Sequence, residues 1–395
     1  MGSDVRIRRG RAKPLWRGHP WVYRDSIVAV DDGVEAGDLV TVRDPAGRAI
    51  GCGFFSPGSA IAVRILSREE WIETDRAFFV DRLRTALRLR TDTLQLPVFT
   101  DAFRVVHSEG DRLPGLVADL FGGHLVAQLS TAGLHRRRDL ILDALEEVIE
   151  PESIHLKPDK KACAAEGIPV ESGLVRGAAP ADPPSILEHG VCFRIDLGGG
   201  QKTGFFTDQR YNRQLVGRLV RGRRVLDLHT YTGGFGLHAA VNGAREVICI
   251  DSSGPALALA AENAMLNNCR QLRVERADAR RYLDEAHESG KRVDVVISDP
   301  PRLAPTRAAV KKALRVYRDL HLRAMRVVEP GGLLAASSCS GSVSEEEFEA
   351  TLRDAAYDLG RTVQVIFKGG QAPDHPVLTT SPEGRYLKFL LVCVG

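Results

Sequence analysis

The chain has 395 residues, with 54 Lys plus Arg set against 51 Asp plus Glu for a formal charge of +3. At roughly 150 residues per domain that length exceeds one ordinary core and calls for two or three, and the near balance of charge excludes a histone-like tail or a polyanionic disordered chain while leaving room for local patches. Apolar residues at 44% and charged residues at 27% are globular proportions, and 38 Gly with 20 Pro indicate many turns rather than a helical bundle.

The cysteines, Cys52, Cys163, Cys192, Cys249, Cys269, Cys339 and Cys393, form no CxxC pair and no zinc-like spacing. Neither a disulfide framework nor a metal is therefore expected, and a reducing cytoplasm is the default. MGSDVRIRRGRAK has no apolar segment behind its charges, so no secretory signal is expected. The longest stretch without Asp, Glu, Lys or Arg, Leu228–Ala244, carries four Gly and two His, and no membrane span is expected.

The chain opens with Arg6, Arg8, Arg9, Arg11, Lys13, Arg17 and Arg24 interleaved with Trp16, Trp21 and Tyr23. Cations for phosphates beside flat rings for bases suit an RNA-contacting surface, though a solvated basic tail whose rings cap a small core fits the same residues. Short runs at Asp38–Arg43, Ala49–Phe55 and Ala60–Leu66, separated by Asp44–Gly47 and Pro57-Gly58, predict a β-rich barrel of about 70 residues. From Trp71 to Arg90 the apolar Phe78, Phe79, Leu83 and Leu87 fall at helical spacing. Strands are expected at Phe103–His107 and His124–Leu129, then a helix from His135 to Ile149. Gly177–Pro184, with three prolines, reads as a boundary. The expected domains are thus 1–70, 71–184 and 185–395.

In the last block four apolar runs end in aspartate, at Asp227, Asp251, Asp278 and Asp299, each about one βα unit from the next. That rhythm predicts a parallel, doubly wound α/β sheet with acids along its ligand-binding edge. The turn Leu228-His-Thr-Tyr-Thr-Gly-Gly-Phe-Gly236 does not spell GxGxxG, which weakens a pyrophosphate reading. A glycine-rich turn just after an acid suits a cationic ligand such as S-adenosylmethionine, with Asp251 for the ribose hydroxyls and Asp278 for the adenine amino group. The alternative is a flavodoxin-like or NAD-binding sheet whose acids only cap helices.

Asp299-Pro-Pro-Arg302 offers a stiffened carboxylate that can accept from the amino edge of a base. Alone it is compatible with methylation of an amino nitrogen or of carbon. The next strand, Gly332–Gly341, brings Cys339 to the same edge. Carbon-5 of cytosine is a poor nucleophile that needs a thiolate added at carbon-6, whereas an amino nitrogen does not, so edge position favours Cys339 as a nucleophile. Cys192, Cys249 and Cys393 read as packing.

These residues carry a wider likeness. Arg17-Gly-His-Pro-Trp-Val-Tyr23, Gly200-Gln-Lys-Thr-Gly-Phe-Phe-Thr-Asp-Gln-Arg210, Tyr231-Thr-Gly-Gly-Phe235, Asp299-Pro-Pro301, Ser338-Cys-Ser-Gly341, and Asp374-His-Pro-Val377 followed by Pro382-Glu-Gly384 stand in order. With them the chain resembles, over essentially its whole length, the bacterial 23S ribosomal RNA cytosine-5 methyltransferases. The resemblance implies an N-terminal PUA-like β-barrel, a small central α/β domain and a class I, Rossmann-like methyltransferase domain. It also implies large-subunit ribosomal RNA as substrate, a homodimer, and Phe206 and Asp208 in the wall of the donor pocket. Arg302, Leu303 and His229-Thr230 depart from the family's usual Lys, aromatic and Phe-Cys.

The expected donor-contacting set is Phe206, Asp208, Asp227, Tyr231, Thr232, Gly233, Gly234, Phe235, Asp251, Ser252, Asp278, Asp299 and Pro300. Cys339 and Asp299 are the expected catalytic pair, and Arg17, Trp21 and Arg24 the expected RNA contacts. His375 is a candidate base, although a lone histidine in a turn is more often structural. The rival readings are an RNA methyltransferase acting on an amino nitrogen and a noncatalytic RNA-binding assembly factor.

Overall fold

Central strands buried on both faces shape the first sheet in the computed structural model, which describes residues 2–198 and 204–395. Its six strands run in the order Trp21–Tyr23, Ile61–Ser67, Ala49–Phe55, Leu39–Arg43, Ser3–Ile7, Ile27–Val30. The sheet curls around a core that includes Val5, Ile7, Val40, Val42, Ile50, Phe55 and Val63. The opposite faces of the same strands are also buried, because Leu39, Cys52, Phe54 and Leu66 share a core with Phe79, Leu83, Leu116 and Leu142. That second core lies against a five-stranded sheet ordered Gly173–Gly177, Ser153–Leu156, His124–Leu129, Leu116–Phe121, Ala102–His107. Both sheets therefore fall in one compact unit, made of the described residues of Met1–Ile186, Ile195–Phe205 and Pro373–Gly384.

Several elements differ from the sequence expectation. The helix expected from Trp71 begins at Arg76, where Asp75 caps it by accepting from Phe78 N at 2.9 Å. The helix expected over His135–Ile149 is two, Ala132–Arg136 and Arg138–Ile149, broken at Arg137 (φ −108, ψ 21). Arg137 instead turns its guanidinium over the Phe54 ring, 4.2 Å from the centroid. Leu116–Phe121 escaped notice because its alternation is interrupted by Asp119, fully buried against Arg104 Nη2 at 2.8 Å.

The second unit comprises the described residues of Leu187–Arg194, Phe206–Ala372 and Arg385–Gly395. Its seven-stranded sheet runs Leu272–Arg276, Glu246–Asp251, Arg224–Leu228, Val293–Ser298, Val328–Ser338, Lys388–Val394, Val363–Gly369. The first five strands are parallel, as the spacing predicts, but Lys388–Val394 runs antiparallel between Val328–Ser338 and Val363–Gly369. The sheet is thus mixed: the last two strands are joined by a loop, and without a crossover helix the chain must return antiparallel. Helices Ala279–Glu288, Val310–Val327 and Glu345–Asp358 bury Leu283, Tyr317, Met325 and Phe348 in one continuous core with Leu226, Ile250 and Val296. Among the described residues no helix is long and apolar enough to cross a membrane.

Candidate active site

The four strand-end acids lie along one edge of this sheet, but they do different things. Asp227 is inside Arg224–Leu228, only 1% exposed, and accepts from Thr230 Oγ1 at 2.5 Å and Gly236 N at 2.9 Å. Burial pushes its carboxyl up to about 7, against the opposing pull of those two donors. It is a brace for the turn. The turn is tight at this point, since a Cβ on Gly236 would run into Cys249 Sγ and stand 3.2 Å from Asp227 Oδ2. Gly236→Ala is accordingly expected to cost about 1–3 kcal/mol, seen as a lower Tm.

Asp251 ends its strand partly exposed. Its Oδ2 accepts from Tyr231 N and its Oδ1 from Ser253 N, both at 2.9 Å, so the carboxylate is held in one orientation with lone pairs to spare. His229 (φ 57) and Tyr231 (φ 53) on either side of Thr230 adopt left-handed backbone that side chains rarely take, and Gly233 (φ 89) follows. Tyr231 meets Phe206 edge to face, with ring centroids 5.3 Å apart. Thr232 and Phe235 are buried, Phe235 stacking on Phe389 at 6.2 Å, and Gly234 covers Arg213, whose Cδ would lie 3.2 Å from an added Cβ. Ser252 offers its carbonyl to Arg276 Nε at 3.0 Å. Asp278, exposed, caps the next helix by accepting from Arg280 N and Arg281 N at 3.0 and 3.1 Å.

The turn fits S-adenosylmethionine. It has a braced carboxylate for ribose hydroxyls, aromatic faces beside it, and a buried imidazole nitrogen, His229 Nδ1, with no hydrogen-bond partner among the described residues. The pull of Asp251 and Asp278 on His229 fails to offset burial, which lowers its pKa and keeps that ring neutral.

Asp299 and Cys339 follow the ends of adjacent parallel strands, Val293–Ser298 and Val328–Ser338. The two serines flanking the cysteine are pinned. Ser338 Oγ donates to Tyr317 Oη at 2.9 Å, while Ser340 Oγ accepts from Leu303 N and Ala304 N at 3.2 and 3.0 Å and lies 3.0 Å from Tyr317 Oη. The loop after Asp299-Pro300-Pro301 is thereby tied to the Ser-Cys-Ser turn, and between two fully buried serines Cys339 alone is partly exposed.

These stretches coincide with known families. A PUA-like domain model matches residues 5–68, and an S-adenosylmethionine-dependent methyltransferase model matches residues 172–367. Ribosomal RNA large subunit methyltransferase I of Tolumonas auensis is 39% identical, covering 99% of both chains, and that of Aeromonas salmonicida is 37% identical with the same coverage. The chain belongs to the ribosomal RNA large subunit methyltransferase I family. Among solved structures, a methyltransferase complexed with SAH superposes with a TM-score of 0.86, and an S-adenosylmethionine-dependent methyltransferase from Streptococcus mutans with 0.84. Each is 19% identical and covers 99% of both chains, which shows a shared fold. S-adenosylmethionine is the methyl donor of this family member.

Sequence reading missed the polar hub that supports the edge. Of the matched stretch 200–210, residues 200–203 lie outside the described residues; the remainder, read as a polar loop, contains buried Thr207, Asp208, Gln209 and Arg210. Asp208 Oδ2 accepts from Tyr386 Oη at 2.6 Å. Gln209 Oε1 accepts from Asn212 Nδ2 at 2.6 Å, which fixes the amide so that its Nε2 donates to Asp299 Oδ2 at 3.0 Å and Ser337 Oγ at 3.1 Å. Glu188 is fully buried; burial alone would raise its pKa, but Arg213 and His238 outweigh that and hold it well below the carboxylate range. Arg213 Nε and Nη2 both reach it at 2.7 Å, and that same guanidinium stem underlies Gly234. The available signal was a run of hydrogen-bonding residues with no apolar period in a segment too short to be a linker.

Other expected residues belong to the first unit. His375 belongs to the first unit, 3% exposed, its ring 5.0 Å from His107 and its Nδ1 3.3 Å from Asp374 Oδ1. The backbone around it is fastened by Arg90, whose Nη2 donates to Asp374 O at 2.7 Å. Arg17 and Arg24 are exposed. Trp21 is tied down, Nε1 donating to Glu109 Oε1 at 2.9 Å, whereas Trp16 and Tyr23 are 47% and 41% exposed.

Proposed function

We propose that this chain forms 5-methylcytidine in large-subunit ribosomal RNA through a covalent adduct of Cys339. The observation that carries the reading is the partly exposed Cys339, held between two pinned serines on a loop fastened to that of Asp299. Methylation of an amino nitrogen has no use for a thiol there. The relatives' name supplies the RNA.

S-adenosylmethionine supplies an electrophilic methyl group; Asp251, with Tyr231 and Phe206 beside it, holds its adenosine, and Asp278 lies further along the edge. Asp299 accepts from the cytosine amino group and orients the ring, as its own Oδ2 is oriented by Gln209. The Cys339 thiolate bonds to carbon-6, the electron pair of the carbon-5–carbon-6 double bond moves to carbon-5, and carbon-5 takes the methyl group as the donor's sulfur–methyl bond breaks and S-adenosylhomocysteine leaves. Loss of the carbon-5 proton to a base and cleavage of the sulfur–carbon bond restore the ring and the thiolate. The exposed cations Arg17 and Arg24, with the rings of Trp16 and Tyr23 and the anchored Trp21, serve as the RNA-holding surface.

The test is nucleoside analysis of ribosomal RNA from a strain lacking the gene. Loss of one 5-methylcytidine is expected; loss of a methylated adenosine or guanosine instead would replace this reading by amino-nitrogen methylation. Gln209→Ala is expected to lower kcat about tenfold with donor affinity within about twofold, because one hydrogen bond to a charged carboxylate is lost. Steady-state kinetics with isothermal titration of the donor measures both.

A further inference from the structure

Lys388 is the first residue of Lys388–Val394 and stands opposite Ser338 in the antiparallel ladder. Its Nζ donates to Ser340 O at 2.6 Å and to Tyr386 O at 3.0 Å. The side chain therefore faces the residue before Cys339 across the sheet and bonds the carbonyl of the residue after it. It is 7% exposed, and among the described residues its Nζ hydrogen bonds go to these two carbonyls and to no carboxylate.

Burying an ammonium without a counter-charge is expensive, and two carbonyl dipoles offset only part of that cost. Burial pushes Lys388 down to about 8; the neighbouring Cys339 acts in the opposite direction, with smaller contributions from Arg302, which lowers it, and Glu347, which raises it. The other titratable groups around the pair are Tyr317, bonded to both flanking serines, and Asp299. None of these supplies a direct anionic partner to Nζ, and the group placed to do so is the cysteine.

We propose that the Lys388 ammonium is the counter-charge of a Cys339 thiolate and holds the nucleophile ionised before RNA arrives. The thiol proton leaves to water and Lys388 keeps its own three, so the pair is stored as a cation and an anion with no other reactant. Lys388 acts through Cys339 and is a positioning residue. The inference rests on reading Cys339 as the nucleophile.

The experiment is the pH dependence of Cys339 alkylation by iodoacetamide in the full-length protein, followed on the Cys339 peptide by mass spectrometry. The midpoint in the unaltered protein is expected below the ordinary thiol value of about 8.5. Lys388→Met is expected to raise it by about one unit, so that labelling at pH 7 slows about tenfold, and Lys388→Arg is expected to restore the lower midpoint. An unaltered-protein midpoint at or above the ordinary value overturns the proposal whatever the variants do. So does a Lys388→Met protein that binds donor and labels with an unchanged profile. Full turnover by Cys339→Ala would instead defeat the nucleophile reading, and the labelling profile of Cys339 would still report whether the lysine governs the thiol.

Discussion

Cys339→Ala is expected to lower methyl transfer by about a thousandfold or more while leaving donor affinity within about twofold of the unaltered protein. The size follows from chemistry: without a sulfur–carbon bond at carbon-6, carbon-5 of cytosine has no electron pair to offer. The selectivity follows from structure. Cys339 follows the end of a strand two positions along the sheet from Arg224–Leu228, and the residues shaping the turn after that strand (Asp227, Thr230, Gly236) bond to one another. Cys339→Ser should behave almost alike, since a hydroxyl is far less ionised than a thiol at neutral pH. Single-turnover transfer of labelled methyl to RNA, with calorimetry of the donor, checks both halves. Retention of full turnover in either variant would remove the covalent step.

Asp251→Ala is expected to weaken donor binding by more than about a hundredfold, with Asp251→Asn in between. Two hydroxyl groups lose a charged acceptor, each such bond being worth about 1.5–3 kcal/mol. The carboxylate is also what keeps Tyr231 N and Ser253 N satisfied, so its removal relaxes the left-handed turn that presents the donor loop. By contrast Asp278→Ala should cost mainly a helix cap, about 1 kcal/mol of stability, because the structure shows its carboxylate accepting from Arg280 N and Arg281 N. Titration of the donor into each variant, beside thermal melts, separates the two acids.

Much of the sheet was legible in the sequence because apolar runs such as Val247-Ile-Cys-Ile250 are buried on both faces and need no partner to be recognised. Asp227, Asp251, Asp278 and Asp299 stood out by interrupting those runs at regular intervals. Their differing roles were hidden, since whether an acid faces the interior, as Asp227 does, or solvent, as Asp278 does, depends on where the following turn folds back. Gln209 was invisible for another reason: its partners Asp299 and Ser337 lie far along the chain and nothing local marks the amide. Lys388 carries no local mark in the sequence; the ladder sets it opposite Ser338. The antiparallel turn of the last two strands was likewise unmarked, as Val363–Gly369 and Lys388–Val394 have the same β-branched and aromatic character as parallel strands. Trp21 stood out as a ring among cations, but nothing local marked that its indole N–H is committed to Glu109.

In the proposed reaction Cys339 attacks a cytosine whose carbon-5 is then methylated. RNA carrying 5-fluorocytidine at the target tests it most directly, because fluorine at carbon-5 cannot leave as the proton does and the sulfur–carbon bond is never released. A protein–RNA adduct that requires S-adenosylmethionine and maps by mass spectrometry to the Cys339 peptide is expected. Methylated 5-fluorocytidine RNA released without any adduct, or an adduct mapping to another residue, would contradict it.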